Sequence, residues 1–365
     1  MQQKDLTFHQ VNPFEEYELT KNTWLNIEKK SNTSFYLSWI WMANWLKCLS
    51  SDENIIFVYA SYNNTPVFCY FLGIQKQISH KIIYSPRAYL NKTGNKRKDS
   101  ITVEYNGILV DKDFQQTEFT EVFEKSNDWY ELVAGFVSPH QVKYFNHQNP
   151  DFNCRIESEE KGFYVDLEAV RKSNNDLLPL LSKNKRSQIK RSMKAYAKEG
   201  DIRLENIKQP DDIINAINNL KELHQKAWQK KGLPGAFSNK FFTNFHEKLI
   251  SNKSNSNNID FINLYSGNTL IGSLYNFLFN NQVYFYQSGF EYRSENIYKP
   301  GLITHYLAIN HYASLGYQTY DLLVGELDYK KSISSHSYPM PSYRLRTNKL
   351  RFKLEDSLRY LKSKI

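Results

Sequence analysis

The sequence predicts an α/β (α+β) protein made of two similar mixed-sheet domains in tandem. Three observations carry that expectation. The chain has 365 residues, more than one typical domain needs and comfortable for two. Its 26 Tyr and 23 Phe suit broad, half-buried sheets, because aromatic side chains pack well on a pleated surface. Two stretches, ASYNNTPVFCYFLG and LYSGNTLIGSLYNF, share the order strand, Asn-containing turn, Thr, apolar strand, and each is followed by a strand, a helix and a final strand.

Each element has its own signal. Residues 34–49 place Phe35, Ile40, Trp41 and Trp45 on one face of a helix. IIFVYAS, the turn pair Asn63-Asn64 and PVFCYFLGIQ read as a hairpin, and HKIIYS as a further strand. NKTGNKRKD is a polar loop, VEYNGILV a strand, DFQQTEFTEVFEKS a helix and WYELVAGFV a strand. Residues 138–160 are polar and irregular, and the domain boundary is expected there, giving domains 1–155 and 156–365. Helices are expected over 177–199, 211–230 and 240–249. IDFINLYS, Gly267-Asn268 and TLIGSLYNFLF form a second hairpin, QVYFYQSGFEY a strand, and PGLITHYLAINHYASLG a helix with Pro at its start and Gly at its end. TYDLLVG is the closing strand, and the basic tail 342–365 ends in a helix.

Composition narrows the function. No run approaches 18 uncharged apolar residues, and the N-terminal residues lack the apolar core of a signal peptide. Cys48, Cys69 and Cys154 fit no zinc spacing, so a cytoplasmic protein with reduced thiols is expected. The net charge of +9 favours an anionic partner or a solvated Lys-rich surface. Phosphate-loop, HExxH, GxSxG and acidic metal-cluster motifs do not occur, and no metal is expected.

The string LSKNKRSQIKRSMKAYAKEGDIRLE resembles the opening of the catalytic domain of BioF2-like, or CelD-like, acetyltransferases of the GNAT superfamily. LHQKAWQKKGLPGAF with FFTNFHEKLI is similar to their next helices. YFYQSGFEY followed by KPGLITHYLAINHYASLGYQTYDLLVGELDYKKSIS is similar to their core strand, cofactor-side helix and closing strand. The resemblance covers residues 160–340 and extends weakly to the N-terminal half. The related FemAB-type aminoacyltransferases place two GNAT-like domains in tandem, in line with the paired hairpins. The resemblance implies direct acyl transfer in a ternary complex, with acyl-CoA as co-substrate and the chemistry in the C-terminal half. One departure is that the donor loop, RSENIYKPGL, holds a single glycine where such enzymes have a glycine-rich loop.

Candidate roles follow from the chemistry. The helix beginning near Pro300 offers free N–H groups and a positive dipole end to a phosphate, and Arg293, Lys299 and Gly301 stand beside it; an ordinary helix start with solvated cations is the competing reading. Gly289 on the core strand is a position for close backbone approach, or simply a buried strand glycine. The candidate base is His224, which borders the apolar face Leu220–Leu223–Ala227 and otherwise reads as a packed helix residue. Asp321 is a second candidate, as base or as an orienting group. His305 is a third, and its spacing from His311 is not the i,i+4 of a metal pair. Tyr329 is a candidate general acid toward a leaving thiolate, and Lys330 a candidate phosphate or carboxylate ligand.

Residues 183–198 carry seven cations (Lys183, Lys185, Arg186, Lys190, Arg191, Lys194 and Lys198) and no acid, with Ile189, Met193 and Ala197 as an apolar stripe. The run is a solvated face or a contact for an anionic partner: CoA, tRNA, a nucleotide sugar or lipid. Three functions remain open: an N-acyltransferase using acyl-CoA or an acyl carrier protein on an amine of a sugar, amino acid or peptide; an aminoacyl-tRNA-dependent aminoacyltransferase; and a non-catalytic protein binding an anionic ligand. The N-terminal domain lacks a donor loop and is expected to help shape the acceptor cleft.

Overall fold

The computed structural model describes residues 6–79, 83–114, 131–145, 152–208 and 210–347. The chain divides into two compact units. Unit 1 is residues 1–160 with 339–365, and unit 2 is residues 161–338. The division therefore falls five residues beyond the expected boundary, and the chain from Pro339 onward sorts with unit 1.

In unit 1, β1 (Thr7–Val11) pairs antiparallel with β2 (Ile55–Tyr62), β2 with β3 (Thr65–Ser79), and β3 with β4 (Ile83–Leu90). A two-residue strand β5 (Leu109–Val110) also pairs with β3. β4 pairs in parallel with β6 (Glu131–Ala134), and β6 antiparallel with the unit-1 part of β13 (His336–Thr347). Asn63 and Asn64 both adopt positive φ, at 49° and 60°, as the expected two-residue hairpin turn requires. Helices α1 (Tyr17–Glu28) and α2 (Trp39–Cys48) supply Trp24, Trp41 and Trp45 to the aromatic core.

Unit 2 repeats the pattern. β8 (Ile202–Ile207) pairs antiparallel with β9 (Ile259–Ser266), β9 with β10 (Thr269–Phe279) and β10 with β11 (Gln282–Phe290). β11 then pairs in parallel with β12 (Thr319–Val324), and β12 antiparallel with the unit-2 part of β7 (Phe152–Asp166). Helix α6 (Pro210–Gln229) covers one face and α8 (Pro300–Ser314) the other. A Cβ on Gly289 would lie 2.6 Å from the Leu220 carbonyl of α6, and one on Gly272 would lie 2.3 Å from the Thr304 hydroxyl of α8. α5 (Lys183–Ala197) rests on α8, where the buried Ser192 hydroxyl accepts from the Lys299 N–H at 2.9 Å.

Several expectations need correction. Residues 152–160 are not irregular but begin β7; their side chains are largely exposed, so no alternation marked the strand. VEYNGILV is mostly a loop, pinned by the Asn91–Asn106 amide pair at 2.8 Å, and only Leu109–Val110 is strand. The buried stripe of α5 is Ile189, Ser192, Ala195 and Tyr196, while Ala197 is exposed. Spacing by four alone drifts off a 3.6-residue turn, whereas alternating three and four stays on it. β1, α1 and β8 carry too little apolar periodicity to be anticipated. The helix expected over 113–126 lies outside the described residues from 115 onward. Residues 342–347 of the tail are strand, and 348–365 lie outside the described residues.

Candidate active site

The site is built where two parallel strands of unit 2 separate. β11 and β12 share three rungs, Gln282↔Thr319, Val283↔Tyr320 and Tyr284↔Asp321. Beyond them, residues 285–290 have no strand beside them on the β12 side among the described residues. Both strands deform at that point. β11 bulges at Tyr286, since Gln287 faces Tyr275 and Phe285 faces Asn276. β12 slips against β7 between Asp321 and Val324, and Leu323 sits at φ 61°, a conformation that strains a residue with a side chain. The parting leaves the outer edge of 285–290 without a strand partner, and the Ser288 N–H on it is met by the Gln287 side-chain oxygen at 3.1 Å.

Asp321 stabilises that distortion. Its buried carboxylate accepts from the Leu323 N–H at 2.7 Å and the Tyr338 hydroxyl at 2.8 Å. Lys330, also buried, sits on α9 (Asp328–Ile333) and donates to the carbonyls of Leu323, at 3.4 Å, and Val324. These two groups pin the end of β12 from either side. Tyr329 beside them is half-buried and stacks on His305, with centroids 5.4 Å apart and planes at 20°. Burial pushes its phenol well above the ordinary range, so the hydroxyl carries its proton at neutral pH. His305 on α8 bridges the two strands. Its Nδ1 lies 3.0 Å from the Tyr320 hydroxyl, and its ring meets Phe285 edge-on. Burial lowers its pKa to about 3 and keeps it neutral.

The N-terminus of α8 opens beside α5. Gly301 lets the first turn close on Phe290, whose ring would lie 3.1 Å from an added Cβ. The Lys299 ammonium bonds the Asn296 side chain. Lys185 of α5 has its pKa lowered by burial and then by the neighbouring charge of Lys299, against the pull of Asp328. Two cations thus crowd one helix N-terminus, which suits an anion. Arg293 is already engaged: it forms a two-pronged ion pair with Glu199 at 2.6 and 2.7 Å and lies 4.4 Å over the Tyr298 ring.

The expected site residues therefore fall into separate groups. Asp321, Tyr329 and Lys330 meet at the end of β12, and Lys299 and Gly301 stand at the α8 terminus. Arg293 is held on Glu199. Gly289 faces α6, where its missing Cβ admits the helix backbone. His224 lies on α6 near that contact. It is buried among Trp228 and Phe237, its Nδ1 is 3.2 Å from the Gln225 side-chain oxygen, and burial lowers its pKa. Sequence reasoning passed over His246, which is buried between the hydroxyls of Tyr275 at 3.3 Å and Tyr286 at 3.1 Å and is held to a pKa of about 3 by burial. It shares a helix face with Phe242, Phe245 and Leu249, a spacing that signals core and nothing more. Among the described residues no group of three or more His, Cys, Asp or Glu is placed to hold a metal, and no helix is long and apolar enough to cross a membrane.

Residues 183–331 match the family model of the acetyltransferase (GNAT) domain. No curated protein matches the sequence. Among solved structures, FemX aligns over 95% of this chain and 99% of its own at 9% identity, with a TM-score of 0.57. A conserved protein of unknown function from Bacteroides thetaiotaomicron aligns over 94% and 100% at 11% identity, with a TM-score of 0.51. A tandem GNAT protein from the clavulanic acid biosynthesis pathway aligns over 93% and 98% at 9% identity, with a TM-score of 0.47. The match places a GNAT acetyltransferase domain over residues 183–331, within unit 2.

Proposed function

We propose that unit 2 is an N-acyltransferase that moves an acyl group from acyl-CoA, or from a carrier protein with the same arm, to an amine on a sugar, amino acid or peptide. The observation that carries this reading is the parting of β11 from β12 beside a helix N-terminus crowded by Lys185 and Lys299. The donor's phosphate takes the α8 terminus and its thioester lies along 285–290. The acceptor nitrogen attacks the carbonyl carbon, a backbone N–H of that segment receives the developing oxyanion, and the C–S bond breaks as the Tyr329 hydroxyl protonates the sulfur. His224, kept neutral by burial, is the candidate to take the amine's proton. Asp321 and Lys330 position the strand end rather than react, since both are occupied by backbone groups. Loss of a donor hydrogen bond in such a site costs on the order of 10²–10³ in rate.

The test is calorimetric titration with CoA, acetyl-CoA and a long-chain acyl-CoA. Saturable binding that weakens about tenfold or more in Lys185→Ala/Lys299→Ala is expected, as charge-assisted contacts are worth roughly 1.5–3 kcal/mol each. Absence of binding by all three overturns acyl-CoA as the donor and moves the weight to a carrier-protein or aminoacyl-tRNA donor. One observation favours a second reading, an aminoacyl-tRNA donor: among the described residues none of the seven cations in 183–198 lies within ion-pair distance of a carboxylate, which suits a phosphate backbone.

A further inference from the structure

The cations of α5 are more numerous and more extended than a single CoA phosphate cluster requires. The helix has 15 residues, a length of about 22 Å. Lys183, Lys190, Arg191, Lys194 and Lys198 are exposed along it, and none of the helix's cations is paired with a carboxylate among the described residues. Lys183, Lys185 and Arg186 occupy its first turn, where positive charge opposes the helix dipole. Local stability is better served by acids there, so the placement breaks a local rule without a structural gain.

The surroundings of that first turn narrow the partner. Arg186 donates to the Pro179 carbonyl at 3.4 Å, one residue before Leu180, and the charges of Lys299 and Asp328 act on Lys185. Leu180, Ile297 and Leu327 adjoin those residues in sequence or lie two positions away, and they are 47%, 47% and 55% exposed. A run of exposed cations with exposed leucine and isoleucine close by in the chain is poorly served by a nucleic-acid backbone, which offers phosphates but no apolar cover. An acidic protein helix offers both.

We propose that α5 and its apolar rim are the docking surface for an acidic carrier protein that delivers the acyl group on a phosphopantetheine arm. The arm would enter at the α8 N-terminus while the carrier's carboxylates meet Lys190, Arg191, Lys194 and Lys198. This inference rests on the acyltransferase reading above and specifies its donor.

The experiment compares kcat/KM for one acyl group presented on CoA and on an acidic acyl carrier protein, in the wild-type chain and in Lys190→Glu/Lys194→Glu, with a Leu327→Ser variant as a second probe. All three substitutions are at exposed positions, and thermal unfolding checks that each variant is folded. The expected result is that the carrier donor is preferred by the wild type and loses on the order of tenfold or more in the charge-reversed variant, through slower association, while the CoA donor changes less than about twofold. Leu327→Ser should weaken only the carrier reaction, by a smaller factor. Equal losses for both donors, or no loss for the carrier, overturn the docking proposal and leave the acyltransferase reading standing. Turnover with neither donor but with aminoacyl-tRNA, sensitive to the same charge reversal, overturns both. Binding of the wild type to anionic vesicles without carrier-dependent turnover assigns the surface to lipid and likewise overturns the proposal.

Discussion

The two units use one strand pattern and differ at one joint. Each has three antiparallel pairings, then a parallel pairing, then an antiparallel one. In unit 1 the parallel rungs join Arg87, Ala88 and Tyr89 to β6, at the C-terminal end of β4. In unit 2 they join Gln282, Val283 and Tyr284 to β12, at the N-terminal end of β11. The first arrangement spends the strand before its end; the second leaves six residues of backbone open. The joints are also held differently. In unit 1, Glu131 is buried among Arg87, Arg344 and Arg346, tying the parallel pair to β13. In unit 2, Asp321 at the last rung turns its carboxylate to a distorted turn of its own strand. A shared sheet therefore makes a closed joint or an open one according to where the pairing stops and what the flanking acid binds.

The largest effect is expected from Gly289→Ala. The new Cβ would meet the α6 backbone at 2.6 and 3.0 Å, which cannot yield as a flexible side chain does. We expect about 3 kcal/mol of destabilisation by denaturant unfolding, with transferase activity lost in the folded fraction as β11 shifts. Gly232→Ala, facing open space at φ 71°, should cost only about 1 kcal/mol. Equal costs would show that α6 does not set the position of β11.

Asp321→Ala comes next. It removes the acceptor for Leu323 N–H and Tyr338, and a loss of about 2 kcal/mol is expected. Activity should fall together with stability, and the pH–rate profile of the residual activity should keep its wild-type shape. A lost titration limb at unchanged stability would make Asp321 the base instead.

A third effect, spread over each whole unit, separates the two by pH. His246 and His305 titrate near 3 when folded, below the ordinary value of about 6.5. The unfolded chain therefore binds their protons first, and unit 2 loses stability as pH falls below about 6.5, by about 2 kcal/mol per histidine at pH 5. Glu28 in unit 1 is raised by burial to about 7, partly offset by the Trp39 N–H it accepts. Its folded form holds a proton that the unfolded form releases, so this contribution is full below the unfolded value and fades as pH rises through about 7. Acidification from pH 7 to 5 should thus weaken unit 2 by about 4 kcal/mol, through its two histidines, and strengthen unit 1 by about 2 kcal/mol, through Glu28. Amide exchange resolved by unit would read it, with Glu28→Gln and His246→Phe flattening the respective trends. Parallel trends in both units would contradict the assignments.

Legibility followed the reach of each interaction. Helices α2, α6 and α8 and both hairpins were readable because apolar spacing and turn residues such as Asn63-Asn64 act over a few residues. The duplication was readable for the same reason, since it repeats a short order of local signals. β7 was not, because its side chains near 152–160 face solvent on both sides and leave no alternation. In the candidate site, the sequence named Asp321, Tyr329, Lys330, Lys299 and Gly301, yet it could not show that Asp321 and Lys330 are taken by backbone groups of β12.

By itself the sequence determined most of the elements, their order and the basic helix, which depend on local periodicity and composition, while the likeness of the C-terminal half to GNAT acetyltransferases rested on longer strings. Only the tertiary structure decided where β11 and β12 part, that Arg293 is held by Glu199, and that His246 and His305 lie buried and neutral. Those outcomes depend on register and on contacts between residues tens of positions apart. Strand pairing at such range is selected by packing of the whole sheet and by the distortion that Asp321 stabilises at Leu323, and neither leaves a mark in a short window of sequence.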